Sequence, residues 1–464
     1  MKKVVLGIFT VLLSGCAGLS VQNMFGHYSE SNAAAYHYVK SGDYSQAQAA
    51  LSDAGGAFLY GAESGRVAFL QQDYAASMAA LKAADAYWTE EQRQAQIRIS
   101  EGIEQATSLF LNDNVISYEP SPYEVGFLHL YLGLNYLQAK DLDGALVEMR
   151  RANRVQESVI DFRKQQAEIA QREAKQQQMS DNVSEVLKRY PDKSNALGAR
   201  QNAYLFFLSA LLYEADGDLN SAFVDIQRAL NVVPDNKAVV DTAMRIAKRA
   251  GRRTELKALQ RQYGQYKVPS RDTGTLIIID EQQVVSAKQM WRLPLVLWDN
   301  NYQQAIYNLS LPYYSKQRFT PYRPIKVDNS DLDADLVTDT NLMASQALSD
   351  DMFAIVTRQA LRIVAKDQLR QSAVNSSEDE YKELSNAVFN IFNMLTDQAD
   401  TRSWQTLPAS VYLSTAQYEL NEVTLSSRGN QWTVPIQPGR ITLFWVSRQG
   451  NQATGWHVLL GANR

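Results

Sequence analysis

The spacing of apolar and polar positions divides the chain into a helical first half and a mixed second half. Up to residue 266, small and apolar residues recur at helical spacing, and one arrangement returns four times. "SGDYSQAQAALSDA" brings Ala47, Leu51 and Ala54 onto one helical face, and "QQDYAASMAALKAA" does the same with Ser77, Leu81 and Ala84. "AKDLDGALVEMRRA" repeats it with Ala145, Met149 and Ala152. "DGDLNSAFVDIQRALNVVP" repeats it again with Ala222, Ile226 and Ala229, closed by Pro234. Each unit opens on an aspartate followed by an aromatic residue or leucine, which reads as a turn. Twelve residues before each lead position lies another small residue: Ala35, Gly65, Gly133 and Ala210. Tyr38, Tyr136 and Tyr213 follow three of these three places on, whereas the second unit has Ala68. Small side chains let two helix axes approach closely, and the larger residue at i+4 fills the groove between them.

The lead positions are separated by 30, 68 and 77 residues. The middle gap accommodates a degenerate repeat near residues 88–120, where "WTEEQRQAQIRISEGIEQATSLF" is helical in pattern. The last gap is too long for two periods and is rich in Gln, Lys, Arg and Glu. It predicts an elongated helix pair over 153–188 projecting from the array, with a break at Pro191 and Asp192. Its charge run reads first as a solvated face, and a partner-binding arm is the second reading. The four units resemble the tetratricopeptide repeat, a pair of antiparallel helices about 34 residues long. That resemblance implies a curved solenoid whose concave surface, in the family, commonly holds peptides or partner proteins. The residues named so far are packing positions and not binding residues.

Beyond residue 266 the period changes. "GTLIIIDEQQVV" (274–285) is a β-branched run bounded by glycine and polar residues and predicts a buried strand. "MWRLPLVLW" and "FTPYRPIKV" follow as extended pieces, with Pro294, Pro312, Pro321 and Pro324 limiting helix. From Asp339 the helical period returns, with Phe353, Val356, Ala360, Ile363 and Val364 on one stripe. A second stripe carries Leu384, Val388, Ile391, Phe392 and Leu395. Strands resume at Val411, with Arg428-Gly429-Asn430 and Gln449-Gly450-Asn451 as turns. The strand-rich pieces are too short for separate cores, so one β-sandwich-like unit with the helices beside it is expected.

The fold class expected is therefore mainly α: a tetratricopeptide-like helical solenoid followed by an α+β domain with a β-sandwich-like part. Its divisions are a solenoid over 31–266, with the elongated insertion at about 153–200, and a mixed C-terminal domain over 267–464.

The start of the chain changes the picture. Lys2 and Lys3 precede an apolar stretch over residues 4–13 that is about half the length needed to cross a bilayer. "LSGC" follows, and Cys16 is the only cysteine in 464 residues. This resembles the bacterial lipobox, which implies a signal peptide over 1–15, acylation of Cys16 and a lipidated tether over 16–30. Ala17, where enteric sorting would place an inner-membrane aspartate, implies the outer membrane, with the body facing the periplasm. Removing Lys2 and Lys3 from the 46 basic residues leaves 44 against 50 acidic ones, a net charge of −6, which argues against nucleic acid as a partner. The longest later apolar run, "NAYLFFLSALLY", covers twelve residues.

Candidate chemistry is sparse. His27, His37, His129 and His457 are scattered with no metal-ligand spacing, and no phosphate loop or nucleophile motif is present. No catalytic residue, metal or cofactor is therefore expected. "DTRSWQTLP" (400–408) concentrates charged, aromatic and proline residues. Asp400 and Arg402 can read a ligand carboxylate or sugar hydroxyl, or can form an ion pair at a helix–strand junction with Trp404 as a core plug. Trp404, Trp432, Trp445 and Trp456 fall in the last 61 residues, and exposed on strands they would suit sugar faces. In "ITLFWVS", however, both alternate sets are apolar, which favours core.

Together, the lipobox, the degenerate repeats and the 400–408 motif resemble an uncharacterised lipoprotein family of Gammaproteobacteria, encoded near a lipoprotein activator of penicillin-binding proteins. The resemblance implies cell-envelope work, with envelope proteins and the peptidoglycan synthesis machinery as partners, but no mechanism. The expected function is a non-enzymatic scaffold held at the membrane by its N-terminal lipid anchor. The alternative is a glycan-binding lipoprotein that uses the C-terminal tryptophans.

Overall fold

The computed structural model describes residues 27–100, 117–176, 197–298, 304–315, 321–375, 398–419 and 421–462. The signal segment, Cys16, most of the tether and the stripe at 384–395 lie outside the described residues.

A single helical turn at Tyr28–Ser31 leads into α1 (Ala33–Ser41), α2 (Tyr44–Ala50), α3 (Ala57–Leu70) and α4 (Tyr74–Ser100). After them come α5 (Pro122–Gln138), α6 (Leu142–Gln176), α7 (Ala203–Asp216), α8 (Leu219–Val232), α9 (Lys237–Arg249) and α10 (Arg253–Tyr263). They associate as consecutive hairpins, and one local device makes each of the four repeated turns. A residue of positive φ ends the first helix: Gly42, Gln72, Lys140 and Gly217. The aspartate after it caps the next helix. Asp43 accepts from the Gln46 N–H at 3.2 Å, Asp73 from Ala76 at 3.0 Å, Asp141 from Gly144 at 2.8 Å and Asp218 from Ser221 at 3.0 Å. An N-cap of this kind satisfies an N–H that the first helical turn leaves without a partner.

Behind each turn the small residues meet their larger partners. The lead residues Ala47, Ser77, Ala145 and Ala222 are fully buried. A methyl group added to Gly65 would lie 2.5 Å from Leu81 Cγ, and one added to Gly133 would lie 2.6 Å from Met149 Cε. The close axial approach read from the repeats is thus present in the second and third hairpins.

Three expectations need correction. In the first unit α2 stops at Ala50 and the chain turns extended at Leu51, so Leu51 and Ala54 are off the helix and only partly buried. The segment read as a degenerate repeat starting near 88 is, up to residue 100, the continuation of α4. The arm read as starting at 153 is, up to residue 176, one helix with the third unit, α6, running unbroken from Leu142, while its remainder and the break at Pro191 and Asp192 lie outside the described residues. α6 packs against the later helix α11 (Thr340–Asn375).

The second half supplies β1 (Gly274–Gln282), β2 (Gln289–Trp298), β3 (Gln304–Tyr313), β4 (Ile325–Val327), β5 (Ser330–Leu332) and β6 (Asp335–Asp339). After α11 come β7 (Ser410–Tyr418), β8 (Glu422–Ser427), β9 (Asn430–Pro435), β10 (Arg440–Gln449) and β11 (Gln452–Ala462). The central sheet has the order β11-β10-β1-β7-β6, with β1 and β10 parallel and the other pairs antiparallel. A four-stranded sheet, β5-β4-β8-β9, covers one of its faces. The β8–β9 hairpin turns on Arg428 and Gly429, both of positive φ, as a two-residue turn between paired Ser427 and Asn430 requires. The β2–β3 hairpin forms a third sheet and packs through Leu293, Leu309 and Leu311 on Leu348, Met352, Val356 and Ile363 of α11.

The sandwich-like part therefore exists, but only one of its sheets has an outer face. Along β1, Leu276 and Ile278 point to the four-stranded sheet, while Ile277 and Ile279 point to the helices. The helix-side core runs without interruption from Tyr28 through α3, α5, α7 and α9 to Leu443, Trp445 and Leu460 of the sheet. The two halves expected as separate domains share this core, and the glycines at their junction allow close docking. A methyl group on Gly461 would sit 2.6 Å from the Ala215 carbonyl oxygen at the end of α7. The tether also ends earlier than expected, since Tyr28 is already 3% exposed.

Two outcomes follow. Gly65→Ala should cost about 1–3 kcal/mol by forcing α3 away from α4, read as a lowered urea midpoint at unchanged slope. A chain ending at residue 266 should expose the apolar sides of α3, α5 and α7, bind a hydrophobic dye and lose cooperative unfolding.

Candidate functional site

Two surfaces of the helical array could receive a ligand, and the chain itself occupies one of them. The first helices of the hairpins, α3, α5 and α7, are apolar nearly all round and almost wholly buried. Each carries acids or aromatic hydroxyls at positions where a charge in apolar surroundings needs a partner. Glu63 of α3 and Glu124 of α5 are 1% and 0% exposed, and both face the non-helical segment 400–409. The Gln405 and Thr406 N–H groups donate to Glu63 at 2.6 and 3.0 Å, and Trp404 N–H donates to Glu124 at 2.8 Å. Tyr118 and the Ser121 N–H also donate to Glu124, at 2.5 and 2.8 Å, the latter closing the capping box of α5. Ser29 pairs twice with Thr401, and Asn32 donates to Gln405. An extended piece of the chain thus lies against the helices with its backbone donors taken by their carboxylates. Burial pushes the Glu63 carboxyl up to about 7, against the hydrogen bonds from 405 and 406 and with a smaller push from Glu124.

Asp280 and Glu281 close the "LIII" run of β1 and point to opposite faces. Asp280 forms an ion pair with Arg448 of β10, whose Nε donates at 2.9 Å. Glu281 enters the helix-side core, where Arg66 Nη2 reaches it at 2.6 Å, Tyr131 at 3.1 Å, Tyr204 at 3.3 Å and Trp445 Nε1 at 3.0 Å. The Arg66 guanidinium lies 4.4 Å from the Tyr131 ring centroid and is fully buried, with its Nε and Nη1 unpaired. Four donors on one carboxylate hold the sheet to α3, α5 and α7, and both oxygens are fully engaged.

Of the residues singled out from the sequence, Arg402, Trp404, Trp445 and Trp456 fall in this interior, and Asp400 and Trp432 are partly exposed at its edge. Arg402 donates to Asp400 from Nε at 2.9 Å and Nη2 at 2.8 Å, and stacks 5.4 Å over Tyr118. Burial alone would raise the Asp400 carboxyl, but Arg402, with help from Lys288, holds it below its ordinary value. Trp404 is 0% exposed and donates to Thr406 at 3.0 Å, so its ring is closed to an outside ligand. Trp445 and Trp456 stack at 6.2 Å inside the core, and Trp432 leans on Phe444. Trp404, Trp445 and Trp456 therefore offer no open ring to a sugar, while Trp432 is partly exposed. His129 is buried against Glu148 at 2.8 Å, and among the described residues no group of three or more potential ligands could hold a metal.

The second surface was not evident from the sequence. Between α6 and α8, on the side away from the sheet, lies an open cleft of about 550 Å³. Arg150, Arg154, Arg228 and Arg252 line it, with Asn153, Glu157 and Asp225 among them. These arginines lie on α6, on α8 and at the start of α10, and each alone reads as solvated surface charge. The available signal was Arg150 and Arg154 at i and i+4, a like-charge spacing that isolated helices disfavour.

No known family model, curated protein or solved structure matches the chain.

Two measurements probe the buried acids. An acid whose pKa is raised on folding from 4.5 to about 7 loses stability as pH climbs through that window. The unfolding free energy should therefore rise from pH 7.5 to pH 5.5, by on the order of 2 kcal/mol from this group, and Glu63→Gln should flatten the slope. Arg66→Met should cost about 3–5 kcal/mol by stranding Glu281. The double variant Arg66→Met/Glu281→Leu should cost less than the sum of its parts in denaturant titrations.

Proposed function

We propose that this protein is a non-enzymatic scaffold of the cell envelope. It would be lipid-anchored through Cys16 at the outer membrane with its body in the periplasm, and built on repeats of tetratricopeptide kind. The anchor rests on the charged start, the short apolar stretch and "LSGC". The repeat kinship rests on four aspartate-capped turns with small residues at fixed offsets. The observation that carries the binding role is the open, arginine-lined cleft between the second helices of adjacent hairpins. The inner face, where such repeats would ordinarily take a peptide, already holds the chain's own 400–409 segment and the sheet. A partner therefore meets the outer face. Envelope proteins, the peptidoglycan synthesis machinery among them, are the partner class.

The lipid confines the body to a thin layer, which raises its effective concentration for other anchored components without any new contact. Crosslinked envelopes from cells making the tagged chain should give reproducible protein partners. Their recovery should fall when Cys16→Ser releases the body from the membrane fraction. An unmodified Cys16 by mass spectrometry, or no partner across replicates, would sink this reading.

A further inference from the structure

We propose that the cleft between α6 and α8 binds an extended acidic segment of a partner protein, with one carboxylate bridging Arg150 and Arg154. The inference deepens the reading of the helical array as a protein-binding surface and does not depend on the lipid anchor.

The charge in the cleft is unevenly neutralised. Arg228 is already paired with Glu157 at 2.6 Å and Asp225 at 3.4 Å, and Arg252 is held by Asn220 at 3.1 Å and Glu255 at 3.3 Å. Arg150 and Arg154, by contrast, are exposed and form no ion pair among the described residues. Arg150 Nε donates to the Tyr213 hydroxyl at 3.2 Å, which fixes its guanidinium at the cleft wall. Two guanidinium groups one helical turn apart, neither in an ion pair among the described residues, repel each other. A carboxylate between them removes that repulsion and gains charge-assisted hydrogen bonds. The chain as a whole carries a formal charge of −4, so this is a local feature of an acidic protein.

The cleft wall also distinguishes a peptide from a simple anion. Val224 of α8 lines the cleft beside the arginines and is 49% exposed. A polypeptide brings apolar side-chain surface beside its carboxylates, whereas phosphate or sulfate brings only polar oxygens. At the same wall Asn153 Nδ2 donates to Asp225 at 3.0 Å, and the Ser209 hydroxyl donates to the same oxygen at 2.6 Å.

The test uses the full chain in detergent and a fluorescein-labelled tetraglutamate peptide followed by anisotropy, with tetraglutamine as the uncharged control. Tetraglutamate should bind, weaken as salt rises, and exceed tetraglutamine by about tenfold or more, the equivalent of about 1.4 kcal/mol. Arg150→Gln/Arg154→Gln changes only exposed side chains and should abolish that difference, while Arg261→Gln on α10 should leave it intact. Equal binding of both peptides, or no effect of the double substitution, overturns the proposal. So does displacement by inorganic phosphate at the concentration of unlabelled peptide that displaces it, or adhesion to phosphatidylglycerol vesicles through the same arginines. Peptide binding without any captured envelope partner overturns the scaffold reading and leaves the site. Capture undiminished by the double substitution overturns the site and leaves the scaffold.

Discussion

Strand β1 is covered on both faces, and that constraint organises the rest of the molecule. A strand with water on one side needs only alternate apolar residues, but "LIIID" has none to give to solvent. One face therefore requires a second sheet, and β4, β8 and β9 provide it. The other requires a layer of comparable apolarity, and the first helices of the hairpins provide that. At the end of the strand the same double burial forces Asp280 and Glu281 to find cations on opposite sides. Arg448 comes from the sheet and Arg66 from the helices.

The consequence is a division of labour between the helices of each hairpin. Those that face the sheet, α3, α5 and α7, are almost wholly buried and carry Glu63 and Glu124 inward to bind the backbone of 400–409. A segment with no regular structure brings backbone N–H groups that a buried setting must satisfy, and two carboxylates with several lone pairs do so. The helices that follow, α4, α6 and α8, keep a solvated face. An array of this kind turns its inner groove into core and leaves the cleft between its outer helices open to solvent.

Electrostatics follows the same logic. Nearly every charge at the core is matched by a specific partner, as at Asp400 and Arg402 or Glu214 with Arg245 at 2.9 Å. Such pairs fix geometry more than they add stability, because desolvation offsets much of the attraction. Guanidinium groups without an ion pair among the described residues lie outside, at Arg150 and Arg154, where solvation makes them tolerable and a ligand can still reach them.

Local periodicity determined much of this protein. The four aspartate-led turns, the small residues at Gly65 and Gly133, the buried β1 and β10 strands and the Arg428-Gly429 turn were legible because each depends on neighbours within a few residues. The Asp400–Arg402 pair was legible as one of two readings for the same reason. What could not be read was where the two halves meet, because the 404–406 backbone donors to Glu63 and Glu124, and the partners of Glu281, lie between about 80 and 340 residues away along the chain. The truncated α2, the unbroken α6 and the inward tryptophans were decided there as well, by which surfaces came to be covered. So was the arginine cleft, whose members are ordinary surface residues until α6 and α8 are laid side by side. Sequence sets the period of each element, while the burial that gives a charge its meaning exists only once the layers close.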